Sequence, residues 1–503
     1  MAETFTYTFD TPVYKGSATI HTELFVNGEW VKPVDKAATI DVVNPATGKV
    51  ITAVSIGSAA DVDIAVAAAL KAYQTSWGLK CPGTTRARLL NKLADLVEKH
   101  LDELAALEAL DVGKSFYAAR GGDITLVVSA LRYFAGWADK IQGKTIETHE
   151  GKFAYTRREP YGVVGQIIPW NFPLVTGIAK IAPALATGNT IVLKPSELTP
   201  LTALRFADLI NEAGFPPGVF NVVNGYGPTV GAAIAAHPEI RKIAFTGSTL
   251  VGRSIMRAAA ESNLKSVTLE LGGKSPTIIF DDADLEQAVK WASMGVFYNA
   301  GQACIAGSRI FVHEGIYDQF LEKMTQVAQG LTNATGGPFE PGTQHGPLVS
   351  QTQFDRVMGY IESGKSEGAK VHIGGVRLGN EGFFVQPTIF TDVKPEMRII
   401  REEIFGPVAA VIKFKMEEEV IEAANNTTYG LSCMVMSQNI SRALRVAHAL
   451  EAGSAWINSA QEGHPAVPFG GYKQSGIGRE LGEYALEAYT QVKAVHVNLG
   501  LQL

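Results

Sequence analysis

Cysteine is scarce in this sequence, and long apolar runs are missing. Three cysteines occur among 503 residues, Cys81, Cys304 and Cys433, and no two of them form a metal-binding CxxC pair. A count this small and odd excludes a disulfide framework, and it predicts a reducing compartment and no bound metal. No segment is apolar and long enough to cross a bilayer, so we expect no membrane partner.

The sequence also lacks a strong excess of charge of either sign. It carries 44 Lys and Arg against 50 Asp and Glu, a formal net charge of −6. No basic region is strong enough to indicate a nucleic-acid partner. Residues 1–16 include Glu3 and Asp10 and contain no apolar core of a secretory signal, so we expect a cytoplasmic protein.

The sequence does contain a long alternation of helical and strand patterns, in a chain too long for one compact core. The alternation begins near residue 60 and resumes after residue 272. This rhythm is typical of doubly wound parallel sheets, so we predict an α/β fold with two open-sheet domains. Residues 269–276, with paired glycines, are a candidate hinge, and residues 151–160 fit either an arm reaching another subunit or a surface hairpin.

Two buried strands and one long helix can be predicted with their bounds. Residues 162–170 and 188–196 read as buried strands. In residues 84–110, apolar side chains recur at helical spacing after Thr85, which predicts one long helix with Thr85 as its N-cap. The charged residues within 95–111 are interpreted as a solvated face of that helix.

Cys304 is a candidate for nucleophilic chemistry. It lies in GQACIAG, residues 301–307, where small neighbours leave its thiol accessible. An accessible thiol can act as a nucleophile once it is ionised. Cys81 lies in a loop with proline and glycine, and Cys433 lies in an apolar strand, so both are predicted to be structural.

Three junctions between a strand and a helix are candidates for nucleotide binding. Residues 224–238 contain three glycines, but their spacing is one residue too long for the GxGxxG fingerprint. At the second junction, Gly247 and Ser248 open a helix whose N-terminus can bind a pyrophosphate, unless Ser248 is a plain helix cap. At the third, Lys194 and Glu197 both lie at the end of a predicted strand. A carboxylate there suits ribose hydroxyls and repels a 2′-phosphate, which favours NAD over NADP, whereas a mere surface ion pair would indicate nothing.

Seven short motifs follow one another along the chain. They are PWNFP (169–173), KPSE (194–197), FTGST (245–249), LELGGK (269–274), GQACIAGSR (301–309), EEIFGPV (402–408) and PFGGYKQSGIGRE (468–480). In this order they resemble the motifs of the NAD(P)-dependent aldehyde dehydrogenases, and the resemblance extends over nearly the whole chain. Each motif alone is moderately specific, whereas seven in the right order are very specific.

The resemblance implies three structural parts and an assembly. We expect a Rossmann-like coenzyme-binding domain over 1–137 and 161–271, a catalytic domain over 272–482 and a small β oligomerisation arm over 138–160 and 483–503. A homotetramer is expected, with a dimer as the alternative. Gln491 departs from the pattern, because many tetrameric relatives carry glutamate there, near the interface.

The same resemblance implies a reaction, the oxidation of an aldehyde to the carboxylic acid with NAD. Cys304 would add to the carbonyl, and the Asn171 amide and the Cys304 backbone N–H would stabilise the oxyanion of the thiohemiacetal. Hydride transfer leaves a thioester, which water hydrolyses with Glu270 as general base. Glu480 matches a second glutamate viewed as a proton relay, and Lys180 matches a lysine near the catalytic centre whose role stays open.

The cofactor residues are likewise implied by the resemblance. We expect Lys194 and Glu197 to bind the adenosine ribose, Gly247 and Ser248 to face the pyrophosphate, Trp170 to line the cleft, Glu403 to bind the nicotinamide ribose and Phe405 to pack beside the ring. NAD is the expected cofactor, and NADP is a weaker alternative. No metal is expected.

The substrate entrance departs from that of the acetaldehyde-type members. Those members often carry a tryptophan after PWNFP and an aromatic residue before PFGG. This chain has Thr176 and Ala179 at the first place and Glu462 at the second. The residues left to form aromatic walls are Phe172, Tyr298 and Phe469. We therefore predict a wider or more polar entrance, and better use of bulkier aldehydes than an acetaldehyde specialist would show.

Three other functions fit part of the pattern. A CoA-acylating semialdehyde dehydrogenase would pass the acyl group to a thiol, but such enzymes lack the base that Glu270 matches. A catalytically silent relative would not need Cys304, Asn171, Glu270 and Glu403, all of which are present. A cofactor-free thiol hydrolase would have papain-like or caspase-like surroundings, which are absent. An esterase side activity is nevertheless expected, because a thiolate with a base can cleave activated esters.

Overall fold

The computed structural model describes residues 3–35 and 38–503. The predicted coenzyme-binding range 1–137 therefore includes four residues that lie outside the described ranges. The fold is α/β, as predicted, and is built around two large open sheets. Among the described residues, no helix is long and apolar enough to cross a membrane.

The first sheet has eight strands. From edge to edge they are Gly476–Ile477, Ser266–Glu270, Ile240–Thr246, Val163–Ile167, Thr190–Lys194, Phe220–Val222, Leu24–Val26 and Glu29–Val31. The strands from Ser266–Glu270 to Phe220–Val222 are parallel. Every residue of Val163–Ile167 and Thr190–Lys194 is buried, as expected for strands covered on both faces.

The chain order reverses in the middle of this sheet, between Val163–Ile167 and Ile240–Thr246. Open α/β sheets bind ligands at the carboxyl ends of strands beside such a reversal. The longer helices of this part are Ala59–Thr75, Gly83–Lys99, Leu101–Val112, Thr125–Trp137, Pro173–Thr187, Leu201–Ala213 and Thr249–Ser262. The shorter helical segments are Gly78–Lys80, Phe116–Ala118, Ala119–Ile124, Gly227–Gly231 and Ala232–Ala236, of which Ala119–Ile124 and Gly227–Gly231 are π-helical.

The second sheet has seven strands and its own reversal. In order they are Lys370–Ile373, Thr388–Thr391, Val408–Phe414, Arg309–His313, Pro276–Ile279, Ser432–Met436 and Ser454–Ile457. Only Lys370–Ile373 pairs antiparallel in this sheet. The helical segments of this part are Leu285–Phe297, Tyr298–Gly301, Tyr317–Asn333, Gln351–Ser366, Arg398–Arg401, Glu417–Asn425, Ile440–Ala449 and Lys473–Ser475. The segment Tyr484–Ala488 packs on helix Pro173–Thr187 of the first part. The prediction of two doubly wound sheets is thereby confirmed.

Smaller sheets complete the fold. Lys152–Pro160 pairs with Thr490–Asn498 and with Thr145–Ile146. Residues 151–160, for which the sequence fits either an arm or a surface hairpin, therefore lie in a three-stranded sheet with the C-terminal strand. Gln491 lies opposite Glu159 in this sheet. Two separate two-stranded sheets lie within the described part of the first sixty residues, and their strands are Thr4–Asp10 with Lys15–His21 and Thr39–Asn44 with Lys49–Ser55.

The prediction of one helix over residues 84–110 is wrong. The helix breaks at His100, whose φ of −100° and ψ of 20° leave the helical region, and two helices result. Thr85 is not the N-cap, because Pro82 occupies that position and the first helix already begins at Gly83. His100 ends one helix and precedes the next, since its N–H donates to Leu96 O while its own carbonyl accepts Leu104 N.

The interpretation of the charged run as solvated is also wrong at its end. Glu108 and Asp111 are fully buried, at 0% exposure each. Helix Leu101–Val112 is buried at every residue from 104 to 112, whereas helix Gly83–Lys99 buries one face only. Tertiary packing around the second helix therefore encloses carboxylates that sequence patterning places in water.

Candidate active site

The Cys304 loop joins helix Leu285–Phe297 to the strand Arg309–His313, and its backbone is strained. Asn299, Ala300 and Gly301 have φ values of 51°, 54° and 71°. Residues with a Cβ seldom adopt this left-handed conformation. A Cβ on Gly301 would also clash with the carbonyl of Gly406, so glycine is required there.

Gln302, which sequence reasoning did not single out, holds this strained loop in place. Its side chain is fully buried. The Gln302 amide donates to Asn299 O at 3.1 Å and to Pro347 O at 3.4 Å, and it accepts Val349 N at 2.9 Å. Its position two residues before the cysteine was the available signal.

Cys304 lies partly exposed within this loop, whereas Cys81 and Cys433 are buried. Gly273 packs against the Cys304 carbonyl so closely that an added Cβ would clash with it. Burial, and then the charges of Glu403 and Glu270, raise the pKa of the Cys304 thiol to about 12. The thiol is therefore protonated at neutral pH until a positive charge or a proton acceptor reaches it.

Asn171 approaches the same loop from the end of the strand Val163–Ile167. Its side-chain Nδ2 donates to Gln302 O at 2.9 Å, two residues from Cys304. Because an amide nitrogen carries two N–H groups, this bond fixes the amide plane and leaves a second donor. The Asn171 carbonyl in turn accepts Asn299 Nδ2 at 3.1 Å and Lys114 Nζ at 2.9 Å.

Glu270 ends the strand Ser266–Glu270 and is 3% exposed. Its Oε2 is buried without a hydrogen-bond partner among the described residues. Burial and then the charge of Glu480 raise its pKa well above the usual value, against an opposing effect of Lys180. A raised pKa makes the ionised carboxyl a stronger base.

Glu480 and Lys180 form a buried ion pair behind this carboxyl. Lys180 Nζ lies 2.5 Å from Glu480 Oε1 and donates to Thr246 Oγ1 at 2.6 Å. The neighbouring Lys242, which sequence reasoning missed, is also fully buried and donates to Thr268 Oγ1 at 2.8 Å. Burial lowers the pKa of Lys242 to about 7.

Two of the predicted cofactor residues meet the catalytic loops. The Glu403 carboxylate accepts Gly273 N at 3.0 Å, and a Cβ on Gly272 would clash with it. Burial raises the pKa of Glu403 to about 7. Phe405, with a φ of 60°, packs edge-to-face on Trp170 with ring centroids 5.2 Å apart.

The remaining predicted cofactor residues lie at carboxyl ends of strands in the first sheet. Lys194 is buried, and its Nζ lies 3.1 Å from the partly exposed Glu197 carboxylate. Ser248 caps the helix Thr249–Ser262, because its Oγ accepts Val251 N at 3.4 Å. Gly247 donates its N–H to Glu270 O at 3.0 Å. A cation, a carboxylate and a helix N-terminus at one sheet edge fit the ribose and phosphate groups of a dinucleotide.

The residues predicted for the substrate pocket are only partly brought together. Phe172 and Tyr298 stack with centroids 6.1 Å apart. Thr176 donates its hydroxyl to Phe172 O at 2.8 Å, and Ala179 is buried inside helix Pro173–Thr187. Phe469 pairs through its backbone with Glu480. Glu462 is exposed, and its carbonyl accepts Trp456 Nε1 at 3.0 Å.

A metal centre is not part of this arrangement. Within residues 3–35 and 38–503, no group of three or more His, Cys, Asp or Glu side chains is placed to hold a metal ion. The chemistry available at the site is that of a thiol, an amide and buried carboxyls.

The doubly wound sheets, with a polar sheet edge beside a thiol, an amide and buried carboxyls, fit an oxidoreductase that binds a dinucleotide. The sequence pattern of the aldehyde dehydrogenase family matches residues 30–495. An aldehyde dehydrogenase of Agaricus bisporus is 62% identical over 503 residues, with 100% of both chains covered, and one of Emericella nidulans is 56% identical over 500 residues, with 99% of each covered. The NAD+ complex structure of aldehyde dehydrogenase from Bacillus cereus has a TM-score of 0.93 at 52% identity, covering 95% of this chain and 97% of that one. The chain belongs to the aldehyde dehydrogenase family.

Proposed function

We propose that the protein oxidises an aldehyde to the carboxylic acid with NAD, using Cys304 as the nucleophile. The observation that carries the proposal is the grouping of the partly exposed thiol with the Asn171 amide and with the buried carboxyls of Glu270 and Glu403. The NAD+ complex of the Bacillus cereus relative supports the choice of cofactor. NAD supplies the acceptor for the hydride.

The first half of the reaction depends on Cys304 and Asn171. The Cys304 thiol first gives its proton to solvent water. The ionised sulfur then attacks the carbonyl carbon, a C–S bond forms as the C=O π bond breaks, and the carbonyl oxygen becomes an oxyanion. The second N–H of the Asn171 amide and the Cys304 backbone N–H stabilise that oxyanion, and the loss of one such donor costs about 3–4 kcal/mol of barrier. When the carbonyl carbon gives up its hydride, the C=O bond re-forms and a thioester remains on Cys304.

The second half depends on Glu270. Its carboxylate takes a proton from water, the resulting hydroxide attacks the thioester, and the C–S bond breaks to release the acid and the thiolate. Its raised pKa makes this carboxylate a stronger base toward water. Glu480, paired with Lys180, would carry the proton away from Glu270.

The other residues would bind the cofactor and shape the assembly. Lys194 and Glu197 would hold the adenosine ribose, and the helix N-terminus at Ser248 would face the pyrophosphate. Glu403 and Phe405 would flank the nicotinamide end. We also propose that the first sheet forms the coenzyme-binding domain, the second the catalytic domain, and the three-stranded sheet the arm of a cytoplasmic homotetramer, or alternatively of a dimer.

One assay tests the proposal. NADH formation is followed over a panel of small and bulky aromatic aldehydes, without added CoA, and is repeated with NADP and with the variant Cys304→Ala. We expect acid and NADH from the wild type, a lower rate with NADP and none with Cys304→Ala. A Cys304→Ala variant with the wild-type rate, or a strict need for CoA, would overturn the mechanism.

A further inference from the structure

A cluster of buried ionisable groups lies behind Asn171 and takes no part in the mechanism above. Lys114, Asp123, Glu108 and Asp111 are each 4% exposed or less. Lys114 Nζ lies 2.5 Å from Asp123 Oδ2 and 4.0 Å from Glu108 Oε1. Taking several such groups out of water is costly, and buried ion pairs are weak evidence of a stabilising role.

The cluster reaches the site through the Lys114 ammonium. Lys114 Nζ donates to the backbone carbonyl of Asn171 at 2.9 Å. It also lies 4.0 Å from the centroid of the Phe172 ring, which stacks on Tyr298. Lys114 therefore touches the two consecutive residues that carry the oxyanion amide and one aromatic wall of the predicted pocket.

The local backbone brings the counter-ion to this point. Asp123 lies in the π-helical segment Ala119–Ile124, and the wider turn of a π-helix changes where side chains point. Asp123 lies nine residues from Lys114 and bonds it while both are buried. The ammonium is thus held between a carboxylate and the Asn171 carbonyl.

We propose that Lys114, anchored by Asp123, is a positioning residue that holds the Asn171 backbone so that its side-chain amide meets the oxyanion; this rests on the function proposed above. The amide has a second support, because its Nδ2 bonds Gln302 O and Asn299 bonds the same Asn171 carbonyl as Lys114. Loss of Lys114 removes one of two donors to that carbonyl and the cation beside Phe172. The amide is then misplaced but still present.

The test compares the double variant Lys114→Met/Asp123→Asn with the wild type. Removing both partners leaves no unpaired charge from this pair in the interior, so the fold is kept. We expect kcat to fall about 10- to 100-fold, because small misplacements of a positioned group carry costs of that size. The KM for NAD should stay within about twofold, since the lost interaction serves the transition state. Hydrolysis of p-nitrophenyl acetate, which needs no cofactor but forms an oxyanion at the same place, should fall by a similar factor.

A double-mutant cycle decides whether Lys114 acts through Asn171. In an Asn171→Ala background, the Lys114→Met/Asp123→Asn change should lower kcat by less than about twofold, because the group being positioned is already gone. If the two changes lower kcat independently, so that their fold-decreases simply multiply, the proposal is overturned. The same holds for a folded double variant with wild-type kcat.

Two further variants separate positioning from stability. Lys265→Met removes another buried lysine, which donates to Ala235 O at 2.6 Å and Ser262 Oγ at 2.7 Å, and should lower the thermal midpoint without changing kcat. Lys114→Arg keeps the charge and the donors beside a cavity of about 30 Å³ that Lys114 lines, and should restore kcat to within about threefold of wild type. An arginine variant as impaired as the double variant would contradict the role.

The two proposals can fail separately. If the wild type oxidises no aldehyde with NAD, the proposed function fails, and the ester hydrolysis cycle still reports on Lys114 and Asn171. If the wild type forms NADH, Cys304→Ala does not, and the folded double variant retains the wild-type kcat, the positioning role alone fails.

Discussion

Two of the buried lysines near the site, Lys180 and Lys114, differ in the groups that they bind. Lys180 Nζ is paired with the Glu480 carboxylate at 2.5 Å and with the Thr246 hydroxyl at 2.6 Å, so both of these bonds go to side chains. Lys114 is paired with Asp123 at the same distance, but its other bond goes to the backbone carbonyl of Asn171. One lysine is joined to titratable groups near the predicted base, and the other to the main chain of the predicted oxyanion donor.

This difference separates two ways in which a buried cation can serve a reaction. Lys180 lowers the pKa of Glu270, which Glu480 raises, so its charge affects when the base ionises. Lys114 has its effect on position, through a hydrogen bond whose strength does not depend on the base. Substitutions of Lys180, Glu480 or Glu270 (the Lys180 side) should therefore alter the pH profile and thioester hydrolysis. Substitutions of Lys114 or Asp123 (the Lys114 side) should lower the rate at every pH.

The largest effect is expected from Glu270→Gln, which isolates the Lys180 side. Losing a general base typically costs about 10²- to 10⁴-fold in rate, so kcat should fall by that range. Addition and hydride transfer do not use Glu270, so a rapid-mixing experiment should still show about one NADH released per site before turnover stalls. The matched variant Asn171→Ala should slow that first release as well. A Glu270→Gln variant with neither a slowed steady state nor a burst would contradict the assignment.

A smaller effect of defined sign is expected from Lys180→Met and Glu480→Gln. Lys180 lowers the pKa of Glu270, so its loss raises that pKa and moves the acid limb of kcat to higher pH. Glu480 raises the same pKa, so Glu480→Gln should move the limb to lower pH. Shifts on the order of one pH unit are expected for charges close to a buried carboxyl. The measurement is kcat from pH 6 to 10.

The comparison with the other lysine is the control for these shifts. Lys114→Met/Asp123→Asn should lower the whole profile and leave its acid limb in place. Shifts of the same sign in Lys180→Met and Glu480→Gln, or a moved limb in the Lys114 variant, would remove the distinction between the two sides.

The sequence predicts the two sides unequally, for physical reasons. The alternation of strands and helices and the small neighbours of Cys304 are local signals, and the structure contains both sheets and a partly exposed thiol. Glu270, Lys180 and Glu480 fall within or near short motifs that resemble a family. Their roles stay predictions, although the structure places Lys180 and Glu480 in one ion pair.

The Lys114 side carries no such signal. Its bond to Asn171 spans 57 residues, and its ion pair with Asp123 depends on a π-helical turn that no periodicity indicates. Glu108 and Asp111 even look like a solvated helix face, because spacing along a helix does not show which other helices cover it. Only the packing of helix Leu101–Val112 places these carboxyls in the interior.

The smallest effect is expected from Glu108→Gln, which tests whether the Lys114 cluster holds a protonated carboxyl. Burial raises the pKa of Glu108 to about 7, against the opposing charge of Lys114, so the folded protein favours the neutral acid. A pKa above its unfolded value gives stability that is full below about pH 4.5 and is lost as the pH rises to about 7. Glutamine stays neutral throughout. The variant should therefore lose less stability than the wild type between pH 5 and 7, by about 1–3 kcal/mol at 1.36 kcal/mol per pH unit.

Thermal midpoints measured from pH 5 to 8 test this expectation, with Glu418→Gln as the exposed control. Glu418 is exposed in the folded chain, so its replacement removes a carboxyl and leaves the buried cluster intact. If Glu108→Gln and Glu418→Gln follow the same curve, Glu108 is ionised in the folded state at pH 5. The cluster would then hold a second negative charge beside Lys114, and the ammonium would be bound more strongly by its carboxylates than by the Asn171 carbonyl.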